Sequence, residues 1–345
     1  MSLTGELKHT DSEVARFFAA RLPDAARAQA ALRRWTAHLP EPIRPPPGCT
    51  TPPWALGLTI DHRVRVSLGA PYGDPIRFGI KRFRPDDPGV RDAIGRAGAE
   101  LLTELDRFTG APLLLDGADG DRLIRLCAVA SYFEHVYRSG GCDRGDLLDR
   151  AGAHTTLSSL LADVPHETVE DITAQLRLAE PREALGWLVG REVECGAVFA
   201  GSAHVGGADA DLVCAGELID CKATVAPSRL GTRELYQLAG YLLLDFDDHH
   251  RIRFVSLYLS RQGAMLGWHV NEFLPLLGAT ASLCDLRTAL QDLLVPSAEH
   301  VAVGPDPAWA VPCPKCRAQG ENGCVTPRGI PARATHAQRL NAVQR

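Results

Sequence analysis

The sequence predicts an α/β protein: a mixed sheet flanked by helices, preceded by a mostly helical region and followed by a small cysteine-bearing module. Three observations carry this. From about residue 166 the apolar pattern runs helix, short strands, helix, strands, helix, as a layered α/β unit requires. Before it, residues 1–165 show repeated helical patterns. After it, three of the ten cysteines crowd together at Cys313, Cys316 and Cys324, while the other seven are scattered singly.

Composition narrows the function classes. With 45% hydrophobic and 23% charged residues, the chain can bury a substantial core. The formal net charge of −5 gives no general attraction for nucleic acid, so any such site must be locally basic. Residues 1–13 are polar and lack an apolar signal region, and no run approaches the ~20 apolar residues of a membrane helix. These features predict a cytoplasmic protein without a membrane partner. Scattered cysteines in a chain of this length argue against a secreted disulfide scaffold. Lysine occurs only at Lys8, Lys81, Lys222 and Lys315, so each placement is informative.

In chain order, residues 11–37 read as helical, broken at Pro23. Residues 40–53 hold seven prolines and predict an extended linker. Alternation at Val64, Val66 and Leu68 predicts a strand over 58–68. Helices are expected near 89–109, 120–138 and 144–163, then at 166–179 and 182–189. Strands follow near 191–199, 209–214 and 217–223, a helix over 230–244, and strands at 252–260 and 264–269. Helices near 271–277 and 281–294 complete the unit. Residues 1–165 thus form a helical region, which leaves room for a protein partner. The α/β domain spans 166–296, a Pro-rich linker 297–311 and the cysteine module 312–345.

The chemistry concentrates between Gly206 and Lys222. Ala215-Gly216 suits a two-residue turn, which pairs residue 214 with 217, 211 with 220 and 209 with 222. Alternation places Ala210, Leu212, Cys214, Ile219, Cys221 and Ala223 on an apolar face. The other face carries Asp209, Asp211, Asp220 and Lys222. Directly opposed acids destabilise a hairpin unless a cation lies between them. Carboxylate oxygens suit Mg²⁺ or Mn²⁺, and Lys222 reaches the same centre. Such a site fits phosphodiester hydrolysis, with the cation activating water and the ammonium countering charge at phosphorus.

A strand acid, then a strand bearing Asp220-x-Lys222, then a helix bearing Gln237-x-x-x-Tyr241, resembles the PD-(D/E)xK nuclease superfamily, close to its RecB-like branch. The resemblance covers residues from about 180 to 270. It implies a restriction-endonuclease-like fold and a divalent-metal-dependent nuclease acting on nucleic acid, with DNA the expected substrate. It implies that Asp211 or Asp209 binds metal together with Asp220, that Lys222 is catalytic, and that Gln237 and Tyr241 shape the site or position substrate. No proline precedes the first acid, and two aspartates compete for that role. The superfamily often adds a Glu from a preceding helix, for which Glu180, Glu183 and Glu192 are candidates. The alternative is a catalytically inactive nucleic-acid-binding protein of the same fold, docking through its cysteine module.

Several other features have simpler readings. Arg229, Arg233 and Arg261 could meet phosphates but equally suit a solvated surface. The run from Arg77 to Arg84 mixes cations with aromatics, as nucleic-acid surfaces do, yet also suits an exposed strand. Asp247-Asp248-His249-His250 falls where a helix must turn into a strand. In the module, Cys313, Cys316, Cys324 and His336 have the spacing of a structural Zn²⁺ site, with His300 or an acid competing for the fourth position. A tail this short needs such a staple, and its arginines make it basic enough to meet nucleic acid. No G-x-x-x-x-G-K-[ST] phosphate loop occurs.

Overall fold

In a computed structural model of the chain, which describes residues 2–70, 73–295, 312–318 and 324, five strands form one mixed sheet. They are β1 (Glu194–Val198), β2 (Asp209–Cys214), β3 (Glu217–Lys222), β4 (Phe254–Leu259) and β5 (Ala264–His269), in that order across the sheet. All neighbours are antiparallel except β3 and β4, which run parallel. A parallel pair needs a crossover, and the helix Thr232–Leu244 supplies it.

The hairpin forms as its turn residues dictate. Ala215 and Gly216 both take positive φ, 51° and 81°, the backbone of a two-residue turn whose twist matches the strands. Cys214 therefore pairs with Glu217, and Leu212 with Ile219. Beyond Leu212 the ladder with β3 stops. On β1 the paired residues step from Cys195 to Ala197 past Gly196, whose φ is +67°. The strand re-aims there, and Ala210 joins the opposite core from Leu212 and Ile219. This corrects the expectation that Ala210 shares their face. The face bearing the acids also carries buried Val213 and Leu218, so it is solvated only toward one end.

Twelve α-helices are described: α1 (Leu3–Lys8), α2 (Glu13–Arg21), α3 (Ala25–Thr36), α4 (Pro53–Ser67), α5 (Gly73–Arg82), α6 (Pro88–Asp106), α7 (Gly117–Ser139), α8 (Leu157–Ala162), α9 (His166–Ala179), α10 (Thr232–Leu244), α11 (Val270–Leu276) and α12 (Leu283–Leu294). One core joins α2, α3, α10 and α12 to one face of the sheet. A second joins α4 and α9 to the other face through Leu212, Ile219 and Tyr258. A third lies among α5, α6, α7 and α8. Residues 1–294 form one compact unit and residues 295–345 a second. Before residue 166, α1, α2, α3 and α4, and α7 through Ile124, thus share cores with the sheet.

Three expectations need correction. Residues 58–68 are helical in α4, not a strand. This helix buries His62, Arg63, Val64, Arg65, Val66 and Ser67 in succession, and a helix covered on all sides has no amphipathic stripe to betray its period. Residues 77–82 likewise belong to a helix, α5. The helices expected over 144–163 and 182–189 shrink to α8 and to a single 3₁₀ turn at Gly186–Leu188. No helix among the described residues is long and apolar enough to cross a membrane. The 297–311 linker, His300 and His336 lie outside the described residues.

Candidate functional site

At the open end of the hairpin, a cleft of about 560 Å³ lies between the sheet and the helices α1, α4, α7 and α10. Asp209, Asp211, Asp220, Lys222, Gln237 and Tyr241 all line it. Sequence separations of up to 32 residues are thus closed by one hairpin and the helix that follows it.

Each acid has a different neighbour. The Lys222 ammonium lies 2.5 Å from Asp220 Oδ2, and Asp220 is 1% exposed. Asp61 on α4 sits 2.8 Å from Arg65 Nε. Asp209 accepts from Arg138 Nη2 at 2.9 Å, and Arg138 also meets Glu134 at 2.6 Å. Asp211 has no ion-pair partner among the described residues; its Oδ2 accepts the Cys221 backbone N–H at 2.7 Å. Burial, then the charges of Asp220 and Asp61, push the Asp211 carboxyl up to about 8, against the pull of Lys222 and Arg65. Burial also raises Asp220, opposed by Lys222. Burial opposes the charge on Lys222, but Asp220 and Asp211 outweigh it and hold the ammonium protonated.

A chain of hydrogen bonds fixes the lysine. Lys222 Nζ donates to Gln237 Oε1 at 3.2 Å, and Gln237 Nε2 donates to the Tyr241 hydroxyl at 2.7 Å. Gln237 and Tyr241 stand one helical turn apart on α10, so both face β3. Burial, with Asp220 and Asp211 nearby, keeps the Tyr241 phenol well above its usual range and hence protonated.

Glu180, Glu183 and Glu192 are exposed and none lines the cleft. The acid that joins the hairpin from a helix is Asp61 instead. The signal for it in the sequence is faint: Pro52-Pro53 as a helix start and Asp61-x-x-x-Arg65 at ion-pair spacing. Arg261 is excluded as a phosphate contact, because it is 2% exposed and pairs bidentately with buried Asp171 at 2.7 and 2.9 Å. Arg229 and Arg233 do not line the cleft. Asp247–His250 form the turn between α10 and β4, where Asp248 pairs with Arg287 at 2.7 Å.

Among the described residues, two groups bring three metal-type ligand atoms within 4.8 Å of one another: Cys313, Cys316 and Cys324, and His135, Asp143 and Asp146. Asp61, Asp211 and Asp220 are not such a group, since Asp211 is turned to the Cys221 amide and Asp220 to Lys222. In the second unit, the backbone N–H groups of Cys316 and Lys315 point at the Cys313 sulfur. Burial, with the neighbouring Cys316 and Cys324 thiols, nonetheless holds the Cys313 thiol above its ordinary value, and the two amides pull against that. Arg317 turns the chain with φ +60°, and Cys313 N–H donates to Ala318 O at 2.9 Å.

No protein-family model, no curated protein and no solved structure matches the chain.

Proposed function

We propose that the protein is a divalent-metal-dependent nuclease of restriction-endonuclease-like fold, acting on DNA at the cleft lined by Asp211, Asp220 and Lys222. The observation that carries this reading is Asp211: an acid with no cationic partner, set between Asp220 and Asp61 and beside a fixed lysine. The donor set is all oxygen, as Mg²⁺ or Mn²⁺ prefers. Asp211 and Asp220 would hold the ion, with Asp61 closing from α4. Such an ion supplies charge neutralisation at a phosphate and lowers the pKa of water. Lys222 then orients the attacking water and stabilises charge growing on phosphorus. Gln237 holds the ammonium in place and Tyr241 holds Gln237. Asp209 is engaged by Arg138, which favours Asp211 over Asp209 for the first-acid role. An antiparallel hairpin, a crossover helix and a parallel strand, in that order, support the resemblance to the PD-(D/E)xK superfamily.

The test uses linear and circular, single- and double-stranded substrates with Mg²⁺, Mn²⁺ or EDTA. Cleavage should require the divalent ion. No cleavage of any substrate would favour the alternative of an inactive nucleic-acid-binding protein.

For the second unit we propose a structural Zn²⁺ held by Cys313, Cys316 and Cys324, with His336 as the fourth ligand by spacing. Convergent thiols and amides directed at a sulfur support it. Elemental analysis of protein purified without chelator should find about one zinc per chain. Zinc-free protein would sink the idea.

A further inference from the structure

Helix α5 carries a surface that the cleft chemistry does not use. Ile76 and Gly79 face inward, and α5 approaches α7 so closely that a Cβ at Gly79 would fall 2.0 Å from the Phe133 carbonyl oxygen. That approach sets Phe78 beside Tyr137, ring centroids 5.2 Å apart and tilted by 32°. Phe78 remains 42% exposed, although it is a large apolar side chain. Cations flank both rings: Lys81 Nζ lies 5.8 Å from the Phe78 centroid and the Arg82 guanidinium 5.5 Å from that of Tyr137. Arg82 also donates to the Tyr137 carbonyl at 2.6 Å, and exposed Arg77, paired with Asp74 at 3.1 Å, stands next to Phe78. In a chain of net charge −5, this is a local reversal of sign.

The patch and the cleft share helix α7, which gives Tyr137 to the patch and His135 and Arg138 to the cleft. Tyr137 precedes Arg138, whose guanidinium meets Asp209 inside it. Trp54 and His135, stacked at 4.0 Å and 17°, line the same cleft. Its volume, about 560 Å³, lies within the ~300–1,000 Å³ of sites for a single small ligand, which suits one or two nucleotides rather than a duplex.

Resting on the nuclease reading of the cleft, we propose that the α5–α7 surface binds single-stranded nucleic acid and leads the strand to the cleft. Exposed aromatic faces bordered by cations fit unpaired bases and their phosphates, because every base has a face to stack and a charge to neutralise. A duplex hides those faces in its own stack, and gains nothing from Phe78. The substrate class is therefore a single strand, and Phe78 and Lys81 are binding residues outside the reacting centre.

The experiment is fluorescence anisotropy of the full chain in EDTA with a labelled single-stranded oligonucleotide and its duplex, across a salt series. The single strand should bind more tightly. Phe78→Ala should weaken it by about fivefold or more, the loss of one stacked base, while Phe78→Tyr retains affinity. Lys81→Ala should lower the salt slope by about 0.7, one phosphate contact on a single strand. Both positions are exposed, and unchanged thermal melting checks the fold. Duplex preference, no binding of the single strand, or unchanged affinity in both alanine variants would overturn the proposal. Because EDTA removes cleavage from the readout, the two readings fail separately. Cleavage with Phe78-independent binding sinks only this surface. Phe78-dependent binding without any Mg²⁺-supported cleavage sinks only the nuclease.

Discussion

Asp171, in the interior, and Asp211, half-buried at the cleft, are two acids of the same unit that are treated in opposite ways. Asp171, 1% exposed, accepts two hydrogen bonds from Arg261 and one from Gln175. Arg261 in turn donates to the carbonyls of Ala223 and Ile43, tying the end of β3 to the Pro-rich segment. Asp211 has one backbone amide and two neighbouring carboxylates. A buried charge with a matched partner holds a fold together. One left among like charges raises its own pKa, and is stabilised only by something that arrives from outside. That contrast separates a structural acid from a candidate ligand more sharply than burial does.

The largest expected effect lies on the structural side. Asp171→Ala strands the Arg261 guanidinium and should cost about 3–5 kcal/mol, read by denaturant unfolding. A loss below about 1 kcal/mol would remove the contrast. Next comes the catalytic side. Lys222→Ala should lower the cleavage rate by about 10²-fold or more, as for loss of one transition-state contact, while metal still binds. An unchanged rate in a single-turnover assay would take Lys222 out of the chemistry.

The pH dependence sharpens the same comparison with a smaller signal. Burial and the neighbouring carboxylates push Asp211 up to about 8 from its ordinary value of 3.8, so at this group the folded state binds more protons between those values. Stability of metal-free protein should therefore fall as pH rises from about 4 to about 8 and level off above it. Metal competes with that proton, so Mg²⁺ affinity should rise over the upper part of the window. Melting curves with and without EDTA measure both. A metal-free stability that rises monotonically from pH 5 to 8 would contradict the unmatched acid.

The hairpin was legible because a two-residue turn fixes register beside it, although the ladder stops at Leu212 and Ile219, before the expected 211–220 and 209–222 pairs. Gln237 and Tyr241 were legible because i, i+4 spacing holds whatever the helix packs against. Asp61 was not. It lies 150 residues before Asp211, on a helix whose buried polar residues broke its period and left an accidental alternation at Val64, Val66 and Leu68. The pairing of Asp209 with Arg138 was equally hidden, because Arg138 lies on α7, 71 residues earlier in the chain. Lys222, seated against Asp220, also changes an expectation from the sequence. Asp220 has the Lys222 ammonium beside it while Asp211 has no ion pair among the described residues, so substitution at Asp211 is the cleaner probe.

The most direct test of the account is therefore a calorimetric Mg²⁺ and Mn²⁺ titration of wild type and Asp211→Asn, run with a cleavage assay and a metal-free melt. The amide cannot ionise and can still accept the Cys221 N–H. The account predicts that Asp211→Asn melts no lower than wild type without metal, loses divalent binding at the cleft, and loses cleavage with it. Wild-type metal affinity and cleavage retained in Asp211→Asn would contradict it and place any catalytic centre elsewhere.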